Sequence, residues 1–389
     1  MGSYLFNNHL PKITFDFFKS VKRNSLYVLN YIFPKKFFLT QILRIKNKRI
    51  FKICLKYNHY EKFSNCKLFI LGENNSSIAC VKYSNSGNYL ASGDSTGKIM
   101  LFSVNPLYYN IYKKTLLQLQ DHNQTVTSIS FSNKGDQLAT SSFDSKVFVY
   151  CISPKDKNKF GKQLLSLEGH NQGIFCISFS PNCNYLATGS VDNTTVLYGA
   201  NQNSILYGKV ILILKEHVKP VLSLCFTNNS DFIITGSNDF TANIYGVNPI
   251  DFRFYGKKVF NIIEHRGALF SVTLSPDNNF IATGSWDCRV VIHGFNPYVV
   301  KTFGHPILTL IGHRNWVSCI NYSPSGDYLA TASYDRSMIL YGVNIIKRST
   351  YGKQIFKFRS AYEIYSISFS PKGNSIAVGG GDFDAFIIC

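Results

Sequence analysis

A histidine returns every 47 or 48 residues along this chain, at His122, His170, His217, His265 and His313. Twenty-two residues after each stands an aspartate: Asp144, Asp192, Asp239, Asp287 and Asp335. Four residues before each aspartate stands a threonine: Thr140, Thr188, Thr235, Thr283 and Thr331. Six residues after it stands a ring: Tyr150, Tyr198, Tyr245, His293 or Tyr341. Five matches at fixed offsets define an internal repeat, and a period of this size belongs to a repeat array in which neighbouring units share their apolar faces. Two further copies are degenerate. Around Tyr83–Phe102, Asn74 replaces the His and Thr96 the Asp; around Ser360–Ile388, Asp382 is kept while Ser360 and Val378 replace the His and the Thr. Seven copies result.

Within a copy the texture is β. Runs such as Ile174–Ser180, Tyr185–Ser190 and Thr195–Tyr198 are rich in β-branched and aromatic residues. Clusters such as Ser180-Pro181-Asn182 and Ser325-Gly326-Asp327 bound them as turns. Four strands per copy follow, in the order d–a–b–c. The Gly-His before strand a, the Ser-Pro turns, the Leu-Ala-Thr-Gly-Ser-x-Asp run and the aromatic strand c together resemble the WD-repeat family over residues 67–389. That resemblance implies an all-β chain: a seven-bladed β-propeller of four-stranded antiparallel blades, carrying a basic N-terminal extension at 1–66. It also implies that Leu68–Leu71 supplies the outer strand of blade seven, whose other strands come from 364–389, with Cys389 where strand c should end. The ring would then close without an open sheet edge. The family's strand-c Trp is Tyr or His here. Tyr-Gly-Lys echoes at 207–209, 255–257 and 351–353 read as a recurring hairpin turn.

Charge separates the two regions. Lys and Arg number 41 against 22 Asp and Glu, a net of +19. Residues 1–66 hold +11 of it, with Asp16 and Glu61 their only acids. Such an arm, interleaved with aromatics, suits nucleic acid or an anionic membrane surface. Acid-poor as it is, it also suits organelle targeting. No run approaches the length needed to span a bilayer. Ten cysteines lack metal-site spacing. Cys80, Cys176 and Cys319 share a strand-a position with Ser128, Ser223, Ser271 and Ser366, so they read as small packing groups, free thiols in an intracellular compartment, cytoplasmic or nuclear.

His, Thr and Asp together could suggest a hydrolytic triad or a metal site, but chemistry needs such a set once and this one recurs five times. The resemblance implies a buried hydrogen-bond chain, in blade three His170 bridging Asp192 and Thr188. Asp192→Ala is expected to destabilise, and a change at Thr96, where the set is lost, to matter less. Gly93–Lys98 is too short for a phosphate loop and falls in a b–c turn. No catalytic, cofactor or metal residue is expected. The candidate partner site is a rim: Trp286 and Tyr334, each just before a repeat Asp, with Trp316 before strand a of blade six and Arg266 and Arg314 after the d–a His residues. Trp, Tyr and Arg dominate binding hot spots. The functional expectation is a monomeric, non-enzymatic scaffold that binds a partner protein or peptide within a multi-subunit complex. The alternative is an RNA- or nucleic-acid-associated propeller using the basic arm.

Overall fold

The computed structural model describes residues 40–45, 49–54, 68–70, 76–104, 114–295, 303–381 and 385–388. Six successive stretches each form one four-stranded antiparallel sheet. In blade three, for instance, Ile174–Phe179, Tyr185–Ser190, Thr195–Gly199 and Val210–Leu214 lie in that order from the inner strand outward. The seventh sheet combines Ile364–Phe369, Ile376–Gly380 and Phe386–Ile388 with Leu68–Ile70. Leu68 pairs with Ile388, Phe69 with Ile387 and Ile70 with Phe386, so the ring closes as the repeat pattern implies. Within the basic extension, Thr40–Ile45 and Arg49–Cys54 pair as an antiparallel hairpin in a sheet of their own. The rest of 1–66, and the expected positions of Asn74, Asp382 and Cys389, lie outside the described residues.

The blades stack face to face, and strand b shows why its fifth position is small. A Cβ on Gly93 would stand 2.5 Å from Val126 of the next blade and 2.8 Å from Cys80 Sγ. Apolar faces of adjacent blades form one cluster at each junction, such as Ala139, Val149, Ile174, Ile177 and Val196 between blades two and three. Burying these side chains is the main stabilising term, at about 25 cal/mol per Å² of apolar surface.

Two sets of polar contacts stitch blade to blade. Along the inner strands, small hydroxyl and thiol groups reach the neighbouring backbone. Ser130 Oγ accepts from Phe179 N–H at 3.0 Å and Ser368 Oγ from Tyr83 N–H at 3.2 Å, while Cys80 Sγ donates to Val126 O at 3.3 Å. At the Cys/Ser position, Cys80 is joined by Ser271 Oγ, which accepts from Ile320 N–H at 3.0 Å, and by Ser366 Oγ, which accepts from Val81 N–H at 3.1 Å, so that position wants a polar end as well as a small volume. Burial pushes the Cys80 and Cys176 thiols up, away from the reactive thiolate. On the outside, the Tyr-Gly-Lys turn is confirmed and is wider than expected, since Phe160-Gly161-Lys162 and Phe303-Gly304-His305 repeat it. Gly161 N–H donates to Cys151 O at 2.7 Å and Gly208 N–H to Gly199 O at 2.9 Å. Both glycines have positive φ, 82° and 75°. Gly161 also rests on Leu117 of the preceding blade's outer strand, where a Cβ would come within 2.7 Å. The long c–d connections are thus latches between blades.

Candidate functional site

All five recurring sets form the same buried chain. The His Nδ1 to Asp Oδ2 distances are 2.9, 2.8, 2.8, 2.9 and 3.0 Å from His122 to His313. The His Nε2 to Thr Oγ1 distances are 2.9, 2.8, 2.8, 2.9 and 2.7 Å. A carboxylate only accepts, so Nδ1 carries a proton and donates to the aspartate, while Nε2 meets the threonine hydroxyl on the other side of the ring. The other carboxylate oxygen shapes the b–c turn. Thr194 N–H donates to Asp192 Oδ1 at 3.0 Å, and the residue between, Asn193, sits at φ 68°. Ser145, Phe240, Cys288 and Arg336 occupy that left-handed position in other blades. Each costs a non-glycine residue roughly 1 kcal/mol, which the aspartate bonds offset. Burial opposes ionisation of Asp192, but the bonds from Thr194 and His170 together hold its carboxyl below the usual range. The histidines are buried, so the set is structural: it ties the d–a loop to the b–c turn.

Blade one corrects the expectation that its set is simply lost. Asp94, two residues before the repeat position, accepts from Ser76 Oγ at 2.6 Å, Thr96 Oγ1 at 2.7 Å and Thr96 N at 2.8 Å. Thr96 is a working donor in a replacement network.

The rim residues come together as expected, and they bring partners that the repeat frame did not single out. Trp286 and Trp316 meet edge to face at 4.3 Å between centroids. Trp316 stacks on Phe270 at 6.3 Å and tilts against Tyr334 at 5.2 Å, and Tyr334 meets Tyr365 at 5.4 Å. One aromatic run therefore crosses blades five, six and seven at one mouth of the ring. Phe270 and Tyr365 are the second residues of their inner strands, where pairing with strand b is interrupted by a bulge. Trp286 remains 38% exposed. Beside it, Lys219, Asn238, Phe240, Arg266, Gly267 and Asp287 line an open depression of about 330 Å³ between blades four and five. Lys219 Nζ lies 5.1 Å from the Phe240 ring centroid. Arg266 and Arg314 are exposed and make no ion pair among the described residues, whereas Asp287 is engaged by His265 and Arg289. Exposed cations thus stand beside apolar rings.

The family described as "WD40: WD domain, G-beta repeat" matches residues 65–103, 113–151, 161–198, 208–246, 256–293 and 304–341. The chain belongs to the WD-repeat family. A search of the curated proteins found no match. Each matched WD unit opens with the outer strand of the preceding blade, beginning with Leu68–Ile70, and the seventh blade is completed by 364–388. WD-repeat propellers commonly serve as protein-interaction scaffolds.

Replacing the family's Trp by Tyr leaves the WD network's His, Thr and Asp in place but moves the ring's polar end outward. Tyr150 Oη donates to Asp121 at 2.8 Å, and Tyr245 Oη accepts from Asn243 Nδ2 at 3.0 Å. Tyr198 Oη is buried beside Thr188 without a hydrogen bond of normal geometry. It fills the space of a side chain at Gly169, where a Cβ would stand 2.6 Å away. The same close approach recurs at Gly312, where a Cβ would stand 2.5 Å from Tyr341 Oη, so in blades three and six the Tyr is accommodated by a Gly before the WD histidine.

In blade five of this WD propeller, His293 takes the ring position. Its Nε2 lies 3.3 Å from Thr283 Oγ1, and its Nδ1 is buried without a partner. Burial, and then the neighbouring His265, push its pKa down to about 4. An unfolded histidine binds its proton near pH 6.5, so neutral His293 contributes fully above that pH, and the contribution fades as pH falls toward 4. The loss is about 3 kcal/mol, at 1.36 kcal/mol per pH unit. His293→Tyr should flatten melting temperature against pH between 6.5 and 4. An unchanged slope would place the acid sensitivity elsewhere.

Proposed function

We propose that this WD propeller is a non-enzymatic scaffold that takes an acidic, apolar-anchored segment of a partner protein on the rim of blades four to six. The observation that carries this reading is the aromatic run Trp286–Trp316–Tyr334 flanked by the unpaired cations Arg266 and Arg314, with Lys219 beside them. Exposed rings give apolar area at low entropic cost, and exposed cations without ion pairs beside them favour carboxylates. The packed, unpaired thiols support an intracellular setting.

The rings pack on one another, so they are not free of structural duty. Trp286→Ala with Trp316→Ala should lower stability by roughly 1–2 kcal/mol through the lost ring contacts while leaving the propeller folded. The same pair should weaken the partner by at least about 30-fold, the equivalent of one aromatic anchor. Phe143→Ala, which loses only the edge contact with Phe175 at 5.0 Å on another part of the rim, is the control. Arg266→Glu should weaken the same partner without affecting melting. Full partner binding by the folded double variant would move the site to another surface, residues 1–66 being the next to test.

A further inference from the structure

The fifth residues of the seven inner strands are Lys82, Ser130, Ser178, Cys225, Thr273, Asn321 and Ser368. They stand at one level around the central channel. In three junctions the side chain accepts the next blade's backbone N–H: Ser130 from Phe179, Asn321 from Phe369 at 3.0 Å, and Ser368 from Tyr83. Lys82 cannot do this, since an ammonium only donates. It is the one charged residue on any of the seven inner strands. No carboxylate faces it from those strands, and among the described residues it makes no ion pair. It lines one opening together with Asn321 of blade six and Ser368 of blade seven, so it faces the channel end where these strands converge. Burial lowers its pKa, the signature of a cation without a counter-charge.

An opening of about 260 Å³ lies at this end of the channel, lined by Lys82, Tyr83, Asn321 and Ser368 among others. Its donors converge. Asn321 Oδ1 is occupied by Phe369 N–H, which leaves Nδ2 to donate. Ser368 Oγ accepts from Tyr83 N–H, which leaves its own hydrogen free to point at a ligand. An ammonium, an amide N–H and a hydroxyl, contributed by blades one, six and seven, form a set suited to an oxyanion. We propose that this end of the channel binds one small tetrahedral oxyanion of the phosphate class, charge-paired to Lys82. The site is lined by the inner strands of blades six, seven and one, so an occupant would bridge blade one to blades six and seven. It is separate from the aromatic rim: the lining turn residues Ser84, Asn85, Pro324 and Pro371 belong to the a–b turns, whereas the rim is built from b–c turns and d–a loops.

The test uses the full chain at fixed ionic strength in a buffer without oxyanions. Titration with inorganic phosphate should raise the melting temperature in step with the logarithm of 1 + [phosphate]/Kd, by roughly 3 °C at ten times the Kd. Calorimetry should give a stoichiometry of one. Acetate at the same ionic strength separates a planar carboxylate from the tetrahedral class and should bind at least about fivefold more weakly. Lys82→Met should remove the rise, and Lys82→Arg should retain it. Asn321→Leu, which keeps the cation, should raise the Kd several-fold and serves as the second variant should Lys82→Met fold poorly. The proposal is overturned if the wild-type chain shows no rise at fixed ionic strength. A rise that survives both Lys82→Met and Asn321→Leu overturns it as well, because the phosphate then binds elsewhere.

Discussion

Deleting residues 1–72 should convert a soluble ring into an aggregating one, whereas deleting 1–65 should leave it folded. The longer deletion removes Leu68–Ile70, whose three pairings cover the edge of Phe386–Ile388. Blade seven then ends on an unpaired strand of Phe-Ile-Ile, buried in the closed ring and a template for pairing with another chain. The shorter deletion keeps that strand. Size-exclusion chromatography with light scattering distinguishes the two, and a longer deletion that stays monomeric with an undiminished melting temperature would refute closure by this strand.

Asp192→Ala should cost about 3 kcal/mol, because it strips a buried histidine and a left-handed turn of one shared acceptor. Four donors lose their partner: His170 Nδ1, Thr194 Oγ1, Thr194 N and Asn171 N. The comparison is Thr96→Ala, which removes one hydroxyl donor from Asp94 and should cost about 1 kcal/mol. Denaturant midpoints at constant slope measure both. Equal losses would mean that the carboxylate does not organise the blade.

Both expectations could be written before any coordinates, since the spacing carries the repeat and the WD-repeat resemblance implies the seam and the network. A fixed offset between His, Thr and Asp survives changes in everything around it, and the number of copies sets the number of blades. What spacing could not carry was any feature that departs from the frame. Asp94 rescues blade one from a position two residues off register, and only its bonds to Ser76 and Thr96 reveal the exchange. Phe270 and Tyr365 join the rim because the bulge in each inner strand turns its second residue out of the usual alternation. Lys219 and Phe240 reach Trp286 from the neighbouring blade, and a repeat read copy by copy does not show what faces it across a junction. Lys82 was visible as a residue, but its isolation depends on seven strands meeting around one axis. The polar tips of the inner-strand Ser and Cys residues were hidden for the same reason: their partners lie some 46 to 49 residues on, in the next blade.

The seam also imposes an order on biosynthesis. Leu68–Ile70 leaves the ribosome among the first strands of the propeller, and its partner Phe386–Ile388 among the last. Six blades can fold from contiguous chain as they emerge, each resting on the one before. The strand that locks them must wait unpaired throughout that time. Three residues present few free backbone groups to passing chains. A short clasp strand therefore protects the nascent protein during the interval in which the circle is still an arc.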